Sequence, residues 1–321
     1  MPIVTALTQS FDLEYPIILA PMANFSGGAL AATVSRAGGL GLIGGGYGDG
    51  DWLKRELQLA GNENIGIGFI TWSLAKQPEL LDLALDHKPR AMFLSFGDLK
   101  PFAGKIAAAG VPLIAQVQSV ADAKIAASEG AQFIVAQGSE AGGHGGGRGT
   151  LPLVPAVIDA VGKTPVIAAG GIADGRGLAA ALALGAAGVV CGTAFYASRE
   201  ALTNERIKAA AVAASGDNTV RSSIFDIARR IDWPGRWTIR TLDNAFHREW
   251  AEKPEALEAD SAVQAQRYKD AAAAGDADVA AVIVGEAIDL VHEIRPAAEI
   301  VRSIGQDAER RIAALARTLI R

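Results

Sequence analysis

The chain has little cysteine, few aromatic residues and no block of basic residues, and each shortage argues against a class of structure or function. One cysteine among 321 residues, Cys191, excludes a disulfide within the chain and favours a reducing, cytoplasmic location. It follows the apolar run Gly188-Val189-Val190, which favours a buried small side chain over a nucleophile. Aromatic residues make up 6% of the chain, so alanine and glycine must fill much of the core. A net charge of −5 with no Lys/Arg-rich block gives nucleic-acid binding little support.

Membrane and metal signatures are also missing. The first residues lack a basic segment followed by an apolar run, so no signal peptide is expected. The uncharged stretch Leu178–Ala197 is rich in alanine and broken by glycines, which indicates a helix followed by a strand rather than a membrane span. The four histidines and the cysteine show no metal-ligand spacing, so no metal is expected.

What the chain does contain is a regular alternation of short apolar runs with helix-like segments. The runs are Ile17–Ala20, Leu40–Ile43, Ile65–Phe69, Ala91–Leu94, Pro112–Gln116, Gln132–Val135, Pro165–Ala168 and Gly188–Cys191. The helix-like segments include Ala29–Ala37, Trp52–Ala60, Glu79–Asp86, Val120–Glu129, Leu153–Val161 and Gly177–Leu184. Eight such repeats predict an α/β fold, a (β/α)8 TIM barrel. A doubly wound open sheet is the competing architecture, but no convincing GxGxxG turn follows an early strand.

Two of these helices carry signals for their ends. Ser119 and Asp174 are placed to cap helix N-termini, and Gly130 and Gly185 are placed to end the same helices. The barrel is predicted to close near residue 200. The chain is therefore divided into a barrel over residues 1–200 and a mostly helical C-terminal extension over residues 201–321, which packs on or over the barrel.

The extension has no good strand pattern. Asp217–Arg240 contains Trp233-Pro234-Gly235 and is predicted to be an ordered loop. Tyr268–Ala281, rich in alanine and aspartate, is interpreted as a solvated stretch between helices. Val282–Ile320 is predicted to form one or two amphipathic helices.

The most unusual segment is a glycine-rich loop around His144, directly after the sixth apolar run. Six glycines lie within residues 136–147, so the backbone can approach a ligand closely. His144 can move protons near neutral pH, which makes it the candidate acid or base. The alternative is a loop histidine satisfied by backbone groups. Glu140 either orients the imidazole or caps a turn, and the sequence does not choose between the two.

Two further glycine-containing loops follow the last two predicted strands. Gly170 and Gly171 end the seventh strand, and Gly192 with Thr193 ends the eighth. In many barrels these two loops bind a phosphate through backbone N–H groups. The alternative is that the paired glycines make a tight turn. Gln116, at the end of the fifth strand, can offer its amide to a heterocycle, although polar residues are common at strand ends.

Several of these segments together resemble a known enzyme family. The chain is similar to the nitronate monooxygenase (2-nitropropane dioxygenase) family of FMN-dependent (β/α)8 barrels from about residue 16 to residue 198. The segments that carry the resemblance are Ala20-Pro21-Met22, Ala37-Gly38-Gly39-Leu40-Gly41, Ala136-Gln137-Gly138-Ser139-Glu140-Ala141-Gly142-Gly143-His144, Ala168-Ala169-Gly170-Gly171-Ile172-Ala173-Asp174-Gly175 and Gly192-Thr193. One departure is Gly66-Ile67-Gly68 in the third strand, where family members often have Gly-x-Asn.

The resemblance implies that FMN is the cofactor and that the barrel of residues 1–200 binds it. His144 would be the active-site histidine. The positions that would contact FMN, from the flavin ring and ribityl chain to the phosphate, are Ala20, Pro21, Met22, Gln116, Gln137, Gly138, Gly170, Gly171, Gly192 and Thr193.

The activity that the resemblance implies is a flavoprotein monooxygenase that oxidises alkyl nitronates with O2 to carbonyl compounds and nitrite. One alternative is an NAD(P)H-dependent flavin reductase of the enoyl-acyl-carrier-protein reductase or quinone reductase type. A second alternative is a barrel that binds a phosphorylated ligand without redox chemistry, which would be colourless. The expected partners are a nitronate or nitroalkane and O2, without nucleic acid or membrane. A homo-oligomer stays open.

Overall fold

Strands and helices alternate along most of the chain. In the computed structural model, which describes residues 2–319, the strands are β1 (Ile17–Leu19), β2 (Leu42–Gly44), β3 (Gly66–Ile70), β4 (Met92–Ser95), β5 (Leu113–Val117), β6 (Phe133–Gln137), β7 (Gly143–Gly145), β8 (Val166–Ala169), β9 (Val189–Cys191), β10 (Thr219–Ser222) and β11 (Thr238–Leu242). The helices before residue 200 are α1 (Ala6–Phe11), α2 (Gly28–Arg36), α3 (Gly50–Ala60), α4 (Thr71–Leu74), α5 (Glu79–Asp86), α6 (Lys100–Ala108), α7 (Val120–Ser128), α8 (Thr150–Val161), α9 (Gly175–Ala183) and α10 (Thr193–Tyr196). Those after it are α11 (Glu205–Val212), α12 (Ile224–Arg229), α13 (Ala245–Trp250), α14 (Pro254–Ala259), α15 (Ser261–Ala274) and α16 (Ala297–Leu319), with two 3-10 helices, Gly216–Asn218 and Glu286–Leu290.

Eight parallel strands form a nearly closed barrel. Their order is β1-β9-β8-β6-β5-β4-β3-β2. The two ends of this order meet where Leu19 donates to the Leu40 carbonyl at 3.0 Å and Leu40 donates to the Ile17 carbonyl at 2.9 Å. Each of the eight predicted apolar runs overlaps one of these strands. The prediction of a (β/α)8 barrel is therefore confirmed.

The barrel strands are buried on both faces, which explains their apolar sequence. Ile18 points into the barrel with Phe93 and Ile167, whereas its neighbours Ile17 and Leu19 pack against the surrounding helices. This alternation is the period of two expected of a strand. Phe11 of α1 joins the interior cluster, so this helix packs into the barrel core.

The helix-end signals are confirmed in detail. The Ser119 hydroxyl accepts a hydrogen bond from the backbone of Asp122 at 3.1 Å. The Asp174 carboxylate accepts from the first turn of α9. Gly130 and Gly185 both have a φ of +91°, the left-handed conformation in which a helix commonly ends on glycine.

A second, smaller sheet was not predicted. It has the order β10-β11-β7 and is antiparallel. The prediction of a loop over Asp217–Arg240 is therefore wrong, because that range holds β10, α12 and the start of β11. Thr219-Val220-Arg221-Ser222 is mostly polar, and its pairing with β11 is long-range. A local apolar pattern is therefore missing from this strand.

The remaining C-terminal segment is mostly helical, with two corrected elements. The prediction of helices over Val282–Ile320 is wrong for residues 282–296, which hold one 3-10 helix, Glu286–Leu290, and irregular backbone, because α16 begins only at Ala297. Tyr268–Ala274 ends α15 instead of forming a solvated stretch, in line with the high helix propensity of alanine. The long helix α16 packs against α9 and α2 of the barrel. Ile320 and Arg321, which end the predicted extension, lie outside the described residues. Among residues 2–319, no helix combines the length and apolar character needed to cross a membrane.

Candidate active site

A deep cavity opens at the C-terminal ends of the barrel strands, the end at which barrel enzymes place their active sites. About 1170 Å³ of space lies between its walls, including the part that opens to solvent. The predicted site residues that line it are Ala20, Pro21, Met22, Gln116, Gln137, His144, Gly170, Gly171, Gly192 and Thr193. Ten of the eleven predicted positions, from distant parts of the chain, thus come together around one space.

His144 is held on three sides. Its backbone, in β7, pairs with Ile239 of β11. Its Nε2 atom lies 3.0 Å from both carboxylate oxygens of Asp226 in α12. Trp233 stacks on the ring, with 3.4 Å between the ring centroids and 10° between the planes. The imidazole therefore has one fixed orientation, although it lies in a glycine-rich segment.

The surroundings of His144 favour its neutral form. Burial lowers the pKa of the imidazole below its ordinary value of 6.5, and this effect exceeds the opposite effect of the hydrogen bond and charge of Asp226. The positive charges of Arg229 and Arg221 lower this pKa further. The lowered pKa favours the neutral ring at pH 7. In the neutral ring, the short distances from Nε2 to both carboxylate oxygens favour the tautomer in which Nε2–H donates to Asp226, and Nδ1 of that tautomer carries a lone pair.

Three aromatic side chains that contact one another or Trp237 contribute to the wall of the cavity. We call Tyr47, Phe96 and Trp233 the aromatic wall, since all three line the cavity. The Trp233 indole N–H donates to the Tyr47 hydroxyl at 3.0 Å, so a loop of the barrel holds a loop of the small sheet. Phe96, with a φ of +64°, packs edge-on against Trp233 and Trp237. A non-glycine residue in this conformation is strained and is often found at functional sites.

Three glutamine side chains connect the strand ends below His144. The amides of Gln116 and Gln118 both donate to the Gln137 Oε1 atom, at 3.2 and 2.8 Å. The Gln137 amide in turn donates to the His144 carbonyl at 3.1 Å. Gln137 therefore supports the histidine, and Gln118 is a member of this network that sequence reasoning missed.

The glycine loops have the shape of a cradle. Gly170 and Gly171 have φ values of +103° and +70°, and a Cβ on Gly170 would lie 2.8 Å from the Thr150 hydroxyl. Among the described residues, no acceptor is found for the backbone N–H groups of Gly171, Gly192 and Thr193. Unpaired N–H groups that surround one space suit an anionic oxygen ligand.

Two residues near His144 have structural contacts. Gly138 is absent from the cavity wall, and a Cβ there would lie 2.0 Å from the Thr150 hydroxyl. Glu140 accepts from the Thr150 backbone and hydroxyl at 2.9 Å, so it caps α8. Of the two roles that the sequence left open for Glu140, capping is correct. Asp226 instead orients the imidazole, and it lies 82 residues away in the chain.

Comparison with known proteins identifies the family. A family model described as nitronate monooxygenase matches residues 4–62 and 71–307. The chain belongs to the nitronate monooxygenase family. It is 34% identical to a nitronate monooxygenase of Neurospora crassa, over 92% of this chain and 89% of that protein. It is therefore an enzyme of an oxidoreductase family.

Solved structures of similar proteins share the architecture. FabK from Thermotoga maritima has a TM-score of 0.85 and 32% identity, and the match covers 99% of this chain and 100% of that one. A nitroalkane oxidase from Streptomyces ansochromogenes has a TM-score of 0.81 and 29% identity, covering 97% and 100%. Gly68, the third-strand position at which the sequence departs from the family resemblance, leaves no room for a side chain. A Cβ there would lie 2.4 Å from the Pro21 side chain.

Proposed function

We propose that the protein is an FMN-dependent monooxygenase that oxidises alkyl nitronates with O2 to carbonyl compounds and nitrite. The observation that carries the proposal is the neutral, oriented His144 on the wall of a cavity that also holds the glycine cradle. Family membership and the similarity to a nitroalkane oxidase support the same chemistry. The proposed partners are a small nitronate or nitroalkane and O2.

The residues around the cavity fit FMN. The unpaired backbone N–H groups of Gly171, Gly192 and Thr193 would hold the phosphate. The short side chains of Ala20 and Pro21 leave space along one wall of the cavity for a flat ring. Bound flavin would supply the electron-transfer chemistry that no amino-acid side chain provides. Contacts of FMN with Gln116, Gln137 and Gly138 stay predictions.

His144 would act as a proton acceptor. Because its Nε2–H is directed at Asp226, the free Nδ1 lone pair can take a proton but cannot donate a hydrogen bond. This favours removal of the α-proton from a neutral nitroalkane over donation of a hydrogen bond to the nitro group. A nitronate has already lost this proton. It therefore depends on His144 less than a nitroalkane does.

The small sheet and its loops would close the site. Trp233 and Arg229, both from residues after 200, line the cavity together with barrel residues. We therefore propose that the extension of residues 201–321 packs over the FMN-binding barrel of residues 1–200 and limits the access of water. We also propose a cytoplasmic location, because the single cysteine is buried and cannot form a disulfide within the chain.

A product assay tests this function. The purified protein is supplied with FMN, an alkyl nitronate and air, without NAD(P)H, and nitrite and carbonyl product are measured. The proposal expects equal amounts of both products. With a neutral nitroalkane, His144→Ala should lower turnover by about 10²-fold or more while flavin stays bound. Turnover that requires NAD(P)H would instead support the reductase alternative.

A further inference from the structure

His144 is one member of a buried pair, and the other member comes from outside the barrel. The side chains of His144 and Asp226 are 7% and 6% exposed. Asp226 belongs to α12, which follows β10 of the small sheet. Its carboxylate does not line the cavity, whereas the imidazole does. The ring therefore stands between the carboxylate and the space in which a substrate would lie.

Among the described residues, the hydrogen bonds of the Asp226 carboxylate are made with this ring. Both oxygens lie 3.0 Å from Nε2, and among the described residues no other side chain donates a hydrogen bond to them. Arg229, one turn further along α12, has its hydrogen bond with the Tyr47 hydroxyl instead, at 3.5 Å. A buried carboxylate with one donor fixes which imidazole nitrogen carries the proton.

We propose that Asp226 is a positioning residue, which holds His144 in the Nε2–H tautomer and so directs a basic Nδ1 atom at the substrate. This inference rests on the proposed function, in which His144 accepts a proton. Trp233 stacks on the face of the imidazole and so restricts rotation of the ring out of its plane. Asp226 sets the tautomer and Trp233 sets the plane, and together they prepare one nitrogen for proton transfer.

A second histidine–aspartate pair provides a matched control. His247 Nδ1 lies 2.8 Å from Asp243 in the same part of the chain, and neither residue lines the cavity. Asp243→Asn therefore alters a comparable histidine–carboxylate hydrogen bond without touching the site. A purely structural role for Asp226 predicts that the two asparagine variants behave alike.

The first readout is independent of turnover. The chain has four histidines, so ¹⁵N-histidine labelling of the holoenzyme gives few imidazole signals, and His144→Gln identifies the signal of interest. Long-range ¹H–¹⁵N spectra should show a proton on Nε2 in the wild type. In Asp226→Asn the new amide can donate to Nε2, so the proton should move to Nδ1. The pKa of His144 should also fall, because Asp226 raises it against the charges of Arg229 and Arg221.

The second readout is kinetic. With a neutral nitroalkane, Asp226→Asn should lower kcat by about 10²-fold or more, because the tautomer with Nδ1–H lacks a basic lone pair toward the substrate. KM should change by less than about threefold, since Asp226 does not touch the cavity. Asp226→Glu should recover part of kcat, and Asp243→Asn should match the wild type.

The outcomes separate the two proposals. If Asp226→Asn leaves the Nε2–H tautomer in place, or lowers kcat no more than Asp243→Asn does, the positioning role is refuted. If the tautomer shifts as expected but the wild type oxidises no nitronate or nitroalkane, Asp226 still orients His144 and the proposed function is refuted instead.

Discussion

Arg221 is expected to be a main support of the His144 segment, and its removal should cost several kcal/mol. Its guanidinium donates to the carbonyls of Ser139, Ala141 and Gly143 at 3.0, 2.9 and 3.2 Å, and also to that of Thr238. Arg240 donates to one of these carbonyls, that of Ser139, at 2.9 Å. Arg221 thus ties the loop that carries His144 to the small sheet.

The magnitude follows from the bonds that are lost. Each hydrogen bond from a charged donor contributes about 1.5–3 kcal/mol, and bonds that share one donor group are not additive. Arg221→Ala should therefore lower the free energy of unfolding by about 3–5 kcal/mol. Arg221→Lys keeps the charge but loses the fork of donors, so an intermediate loss is expected.

Urea unfolding followed by circular dichroism measures this change. Arg36→Ala is the control, since Arg36 forms an exposed ion pair with Glu63 that should contribute no more than about 1 kcal/mol. The labelled His144 signals report whether the loop has moved. A loss for Arg221→Ala below about 1 kcal/mol, with unchanged His144 signals, would refute the account of this loop.

Three further predictions concern single groups. Gly170→Ala should weaken FMN binding and lower stability, because φ is +103° and the new Cβ would lie 2.8 Å from the Thr150 hydroxyl. Gly147→Ala, whose Cβ would have nothing within 4 Å, should change neither property. Flavin titration and unfolding measure the two properties, and equal effects of the two variants would contradict the role of Gly170 in the cradle. Cys191 should not react with a thiol reagent at pH 8 in the native protein, because burial raises its pKa to about 12, and it should react after unfolding; fast native labelling would contradict its burial. The acid limb of kcat/KM for a neutral nitroalkane should have its midpoint below pH 6.5, because burial lowers the pKa of His144 and the neutral base is kept above that pH. A midpoint above pH 6.5 would contradict the neutral assignment.

The barrel was predictable because its determinants are local. Each strand is a short apolar run, and caps such as Ser119 and Asp174 are readable from neighbouring residues. The loops at the strand ends were also readable, since Gly170 and Gly192 fall where barrels place their sites. Local pattern, together with the family resemblance, thus pointed to eleven positions, of which ten line one cavity.

The small sheet and the partner of His144 could not be predicted in the same way. Strand β10 is polar and its pairing is long-range, so no local pattern marks it. Asp226 is 82 residues from His144, and nothing in the sequence near either residue indicates the other. Glu140 was the nearby carboxylate, yet it caps α8. Trp233 lies in the segment predicted to be an ordered loop, and its stacking on His144 depends on the fold rather than on local sequence.

The anaerobic visible spectrum of the purified protein, before and after addition of an alkyl nitronate without NAD(P)H, tests the proposed function most directly. The account predicts a flavin spectrum that bleaches when the nitronate is added. A flavin spectrum that stays unchanged, and then bleaches with NAD(P)H, would contradict nitronate oxidation and support a reductase. A colourless protein that takes up no FMN would contradict the proposed cofactor.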